Sequence, residues 1–382
     1  MNRISLLCLL SLCFMQVACA QTVPTSSKAT AETKNLYQNL QRLSAKGVMF
    51  GHQDDLAYGV GWKYKKGRSD VKEAAGSYPA VLGSELGHLE LGSAVNLDSV
   101  PFDQIRNFVQ QTYAAGGVNT ISWHLNNPLD PAKTSWDPMD STIYRLFNDP
   151  AAMQRYQQWL DGVATFMKSL KGSKGELIPV IFRPFHEHTG GWFWWGRPHT
   201  SREDYVKLWR YTVDYLRLQN VNNLLYAYST DRFTSREDYL DFYPGDRYVD
   251  LLGFDIYHRL PQDSSQTATS NAAFVQEARQ MVETLRQVAQ EKHKLYAVTE
   301  TGLENIPMAN WWTKTLLPTI KDSGLSYVLV WRNGDSAHYY APYPGQHSAQ
   351  DFKAFANSPQ ILLLNEVKDE HLYQSVPFKK KK

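Results

Sequence analysis

The stretch LIPVIFRPFHEHTGGWFWWG, from Leu177 to Gly196, opens as an apolar run rich in β-branched and aromatic residues and stops at His186, Glu187 and His188. Such a run reads as a buried strand, and the ionisable residues at its end mark where the chain leaves the sheet. The glycine pair and the four rings that follow belong to a loop.

Seven further runs of this kind recur along the chain: Val48–Gln53, Ala80–Glu85, Val118–His124, Leu224–Ser229, Val249–Tyr257, Leu295–Thr301 and Tyr327–Asn333. With Leu177–Glu187 they make eight. Helical spacing of three to four falls between them, over Phe102–Ala115, Ala151–Leu170, Arg202–Leu218, Asn271–Gln290 and Asn310–Lys321, with Asp, Ser or Pro at several starts. Eight strands alternating with helices predict an α/β fold, a (β/α)8 TIM barrel forming a single catalytic domain over residues 31–378. No repeat or low-complexity block competes with that reading.

Enzymes on such barrels place their chemistry where the strands end. Those ends carry His52, Glu85, His124, Glu187, Asp231, Asp255 with Tyr257, Glu300, and Trp331 with Arg332. Glu187 ends the fourth strand and Glu300 the seventh, so a closed barrel sets two carboxylates across one cavity. That pairing suits glycosidic hydrolysis, in which one carboxyl protonates the leaving oxygen and another works on the opposite face of the sugar. A salt-bridged structural glutamate is the alternative for either one alone.

Seven tryptophans, Trp62, Trp123, Trp136, Trp192, Trp194, Trp195 and Trp331, fall at strand ends or in the loops beyond, whereas Trp159, Trp209, Trp311 and Trp312 fall on helices and read as core. Flat rings cover the C–H faces of sugars, so a saccharide cleft is expected; a hydrophobic lid remains open for Trp194 and Trp195. His186 and His188 raise a metal site, as in metal-dependent barrel hydrolases. The first and fifth strands, ending His52-Gln53-Asp54 and Ser229-Thr230-Asp231, supply no matching ligands, there is no His-Glu-x-x-His, and neither a metal nor another cofactor is expected. A non-catalytic glycan-binding protein is a third reading, against which the presence of both Glu187 and Glu300 argues.

MFGHQDD, SWHLNNP, RPFHEHTGGWFWWG, GFDIYH, TETG and VWRNG occur in that order between residues 45 and 335. In these motifs the chain resembles glycoside hydrolase family 26, the retaining β-mannanases. The resemblance implies Glu187 as acid/base, Glu300 as nucleophile, and a substrate pocket of His124, His186, Trp192, Asp255, Tyr257, Trp331 and Arg332, with Trp136 as a further platform. It implies hydrolysis of β-1,4-mannan, galactomannan and manno-oligosaccharides, by internal cleavage or by release of mannobiose; mixed-linkage β-glucan and β-1,3-xylan are the alternative substrates. His186 and Glu187 are adjacent, so strict alternation would send them to opposite sides. An irregular strand end is therefore expected there.

Of 40 basic residues four are Lys379–Lys382, which leaves 36 against 38 acidic ones, so no nucleic-acid partner is expected and the lysine run reads as a solvated tail. Cys8, Cys13 and Cys19 all lie in the first twenty residues, where Arg3, an apolar run and Ala18-Cys19-Ala20 form an export signal, 1–20. Two processings are open: cleavage before Gln21, or lipid attachment at Cys19. Both make an exported bacterial protein, periplasmic or secreted in the first case and anchored to the outer membrane in the second. Residues 21–30 read as a polar linker, and a monomer is expected.

Overall fold

The computed structural model describes residues 23–375; the expected export signal and the lysine tail lie outside them. Eight parallel strands form the barrel: β1 Val48–Gln53, β2 Val81–Glu85, β3 Val118–Trp123, β4 Val180–Pro184, β5 Leu224–Thr230, β6 Leu251–His258, β7 Leu295–Leu303 and β8 Tyr327–Val330. Each pairs with the next, and β8 pairs with β1 from Met49↔Tyr327 to His52↔Val330, which closes the ring. Closure leaves no free edge.

The pleat sorts each strand between two cores. Ile181 of β4 points inward with Met49, Val81, Val118, Leu225, Leu251, Ala297 and Tyr327, while Val180 and Phe182 face the surrounding helices. The first helix, Ala31–Leu43, packs Leu36, Leu40 and Leu43 into the inner cluster where the strands begin. Each fully buried leucine there contributes about 1.5–3 kcal/mol. The strand ends on the other side carry the polar side chains.

Several boundaries differ from the sequence reading. Residues 23–30 are docked: the Thr25 N–H donates to Asp250 Oδ1 at 2.6 Å, Pro24 and Ala29 are buried, and Thr30 caps the first helix by accepting from Thr33. The helix expected over Asn310–Lys321 starts with a π-helical turn, Trp312–Leu316, before Leu317–Ile320; Pro318 has no N–H for a regular ladder there. After β8 a helix, Ala349–Ala356, leads to a two-residue strand, Ile361–Leu362, that pairs parallel with the start of β1.

Candidate active site

β4 ends at Pro184, three residues short of the expected Glu187, because Phe185 and Glu187 take left-handed backbone, φ 49° and 52°. Each costs of order 1–3 kcal/mol in a residue with a side chain. Hydrogen bonds hold the turn in place: Tyr205 Oη donates to the Phe185 carbonyl at 2.9 Å, Trp195 Nε1 to that of His186 at 2.8 Å, and the Glu187 N–H to Ser229 O at 3.0 Å. The irregular strand end brings the adjacent His186 and Glu187 to the same cavity.

A bulge does the same on β7. Phe254 pairs with Val298 but Asp255 pairs with Glu300, so Thr299 is an extra residue. Thr299 Oγ1 donates to Asp255 Oδ1 at 2.6 Å from inside the barrel, and Glu300 beside it reaches the same interior. Two residues facing one partner re-aim a side chain in this way.

Arg183, buried two residues beyond Ile181, links the carboxylates. Its guanidinium donates to Asp255 Oδ2 at 2.8 Å and to Glu300 Oε1, while Tyr257 Oη donates to Glu300 Oε2 at 2.7 Å. Ser229 Oγ gives Asp255 a further bond at 3.0 Å. Among the described residues Glu187 has no cationic partner, and its side chain accepts from Trp192 Nε1 at 2.8 Å. Burial and the negative charges of Asp255, Glu300 and Asp231 push the Glu187 carboxyl well above the usual carboxylate range. One carboxylate is clamped by a cation and the other is shifted toward its protonated form. That division is what an acid and a nucleophile require.

His124 and His186 meet through their Nε2 atoms at 2.9 Å, and His124 Nδ1 lies 2.8 Å from Glu85 Oε2. His188 faces elsewhere: its ring sits among Tyr205, Tyr228 and Phe242, and burial pushes it down to about 3. The two histidines therefore share no metal. Among the described residues His186, Asp255 and Glu300 do bring ligand atoms within 4.8 Å of one another. The Arg183 guanidinium bonded to both carboxylates supplies the positive charge at that spot, so the trio does not fit a metal cation.

The tryptophans divide. Trp136 and Trp192 are 49% and 40% exposed, and Trp331 is half-buried with its ring 6.4 Å from His124. Trp62, Trp123, Trp194 and Trp195 are buried, which excludes them as sugar platforms. Their indole N–H groups act as pegs instead: Trp194 donates to Leu125 O, Trp195 to His186 O, Trp62 to Asp70 and Trp123 to Glu90. Gly190 is required beneath Trp192, since a Cβ there would lie 2.3 Å from its ring. Arg332 pairs with Asp98 at 3.3 Å, at the edge of the cavity, and contacts neither glutamate.

Sequence reasoning passed over Arg183, and named Glu85 as a strand-end residue without giving it a role in the site. Both carried a signal. A charge inside an apolar strand must find an opposite charge, and Arg183 follows IPVIF while Glu85 ends VLGSE.

A family model described as glycosyl hydrolase family 26 matches residues 25–316. The structure of a GH26 β-mannanase from Bacteroides ovatus is 46% identical with a TM-score of 0.84, covering 90% of this chain and 98% of that one. GH26C from Muricauda sp. is 31% identical with a TM-score of 0.83, covering 94% and 97%. A mannan endo-1,4-β-mannosidase from Bifidobacterium adolescentis is 32% identical over 91% of this chain, which spans 36% of that relative's length.

Proposed function

The chain belongs to glycosyl hydrolase family 26, and from that premise we propose that it hydrolyses β-1,4-mannosidic bonds in mannan, galactomannan and manno-oligosaccharides with retention of anomeric configuration. The observation that carries the reading is the contrast between the two glutamates: Glu300 clamped by Arg183 and Tyr257, Glu187 buried among negative charges that raise its pKa. Glu300 attacks C1 as Glu187 gives its proton to the departing glycosidic oxygen, so a C1–carboxylate bond forms as the C1–O bond breaks. Glu187, now anionic, takes a proton from the water that displaces Glu300 and returns to its starting state.

The other residues of the pocket take roles in this reading. Tyr257 and Arg183 orient the nucleophile, and Asp255 balances the guanidinium. Trp192 steadies Glu187 through its N–H and offers its exposed face to a sugar, as Trp136 and Trp331 do around His124. His186 lies beside Glu300 and meets the sugar at the cleavage point, and Arg332 closes the pocket with Asp98.

That β-mannanases stand among its relatives supports mannan, rather than mixed-linkage glucan or β-1,3-xylan, as the substrate. A time course of products from galactomannan, linear manno-oligosaccharides, mixed-linkage glucan and β-1,3-xylan tests this and separates internal cleavage from mannobiose release. Faster turnover of glucan or xylan would leave the mechanism and overturn the substrate. We also propose that the chain acts outside the cytoplasm as a monomer. The mass of the mature N-terminus decides between a start at Gln21 and a lipidated Cys19, and an uncleaved Met1 would refute export.

A further inference from the structure

Glu85 is fully buried and receives four donors. Its Oε1 takes the backbone N–H groups of His124, at 2.7 Å, and of Gly87; its Oε2 takes Ser122 Oγ and faces His124 Nδ1 at 2.8 Å. An acceptor-only carboxylate requires a proton on His124 Nδ1. The next contact, Nε2 to Nε2 at 2.9 Å between His124 and His186, holds one proton only, and His186 Nδ1 is buried with no partner among the described residues. Two arrangements satisfy this. With His124 an imidazolium, its Nε2–H donates and a neutral His186 keeps its proton on Nδ1. With His124 neutral, His186 Nε2–H donates and its Nδ1 becomes a bare acceptor.

We propose that Glu85 is a positioning residue that, through His124, sets whether His186 offers the sugar at the cleavage site a hydrogen-bond donor or an acceptor. The inference rests on the proposed function only in assigning His186 to the sugar. Charge favours the donor state. Burial lowers the His124 pKa, but the Glu85 carboxylate overrides it and holds it raised; Glu300 adds to that and Arg183 opposes it. Burial, Arg183 and the charged His124 hold His186 well below the ordinary imidazole range, so the shared proton stays on His124. Asp98 also interacts with His124, and the face of Trp136 stacks on its ring at 5.0 Å and 12°, an arrangement that attracts a cation. The donor state is lost as pH rises through the His124 pKa.

The full-length enzyme labelled with 15N-histidine reports both rings directly by NMR, with signals assigned from His124→Asn and His186→Asn. Below the His124 pKa the expected spectrum has both nitrogens of His124 protonated and the His186 proton on Nδ1; on raising the pH through it, His124 loses its Nε2 proton and the His186 proton moves to Nε2 in the same step. In Glu85→Gln the backbone N–H groups retain Oε1, so the carboxamide NH2 faces His124 Nδ1. His124 is then neutral with its proton on Nε2, and His186 keeps Nδ1–H across the pH range in which the wild type switches. A His186 tautomer that stays fixed while wild-type His124 titrates would overturn the proposal, as would a Glu85→Gln enzyme that keeps the wild-type step. If that variant does not fold, the wild-type titration decides. These readings need no substrate, so an enzyme inactive on mannan would refute the proposed function and leave this test standing.

Discussion

At the scale of single residues, two glutamates of the same intrinsic chemistry meet different surroundings, and the proposed mechanism rests on that difference. Burial and negative neighbours raise the Glu187 pKa, so kcat/KM should fall as pH rises through it, the acid form being the active one. Removing it should cost polymer hydrolysis about 10²–10⁴-fold, the usual worth of general acid catalysis. We expect Glu187→Ala to lose far less on aryl mannosides with good leaving groups, which need little protonation; parallel losses on both substrates would exclude the acid role. Glu187 and Glu300 were legible in the sequence because strand ends four and seven carry them. Arg183 and Glu85 were harder to read, since the benefit of each depends on partners that only the closed barrel brings near: Asp255 and Glu300 for one, His124 and Ser122 for the other.

At the scale of elements, the two catalytic candidates stand at two irregularities, the turn that ends β4 and the bulge within β7. The turn after β4 stores two left-handed residues, and the loop Gly190–Gly196 folds back to hold it through Trp195 Nε1 and the His186 carbonyl. Trp195→Phe keeps a ring in the core but strands that carbonyl, at about 1–3 kcal/mol for an unmet buried group. Its denaturation midpoint should drop accordingly, and kcat should fall as His186 and Glu187 lose their fixed geometry. An unchanged kcat in a destabilised protein would show that the peg serves stability alone. Helix spans such as Arg202–Leu218 could be read from spacing. Buried tryptophans could not be told from exposed ones, because a ring after a glycine pair has the same sequence signature whether its face is covered or open; Trp192 and Trp195 differ only in what folds over them.

At the scale of the whole molecule, eight parallel strands convert distant stretches of chain into one cavity, and the alternation of apolar runs with helical spacing made that architecture legible. Less legible were the contributions of chain outside the alternating pattern: residues 23–30 docked against Asp250, and Ile361–Leu362 pairing with β1. Polar composition hid the first and brevity the second. Because a guanidinium bridges the buried carboxylates, exhaustive chelation should leave kcat on manno-oligosaccharides unchanged; loss of turnover with release of one zinc per chain would revive a metal mechanism. The central claim is that Glu300 becomes covalently bonded to the sugar. An activated 2-deoxy-2-fluoro-mannoside slows release of that intermediate more than its formation, so mass mapping of the inactivated enzyme tests the claim most directly: one mannosyl adduct on Glu300 is expected, and an adduct on Glu187, or none from an enzyme that turns the reagent over with inversion, would contradict it.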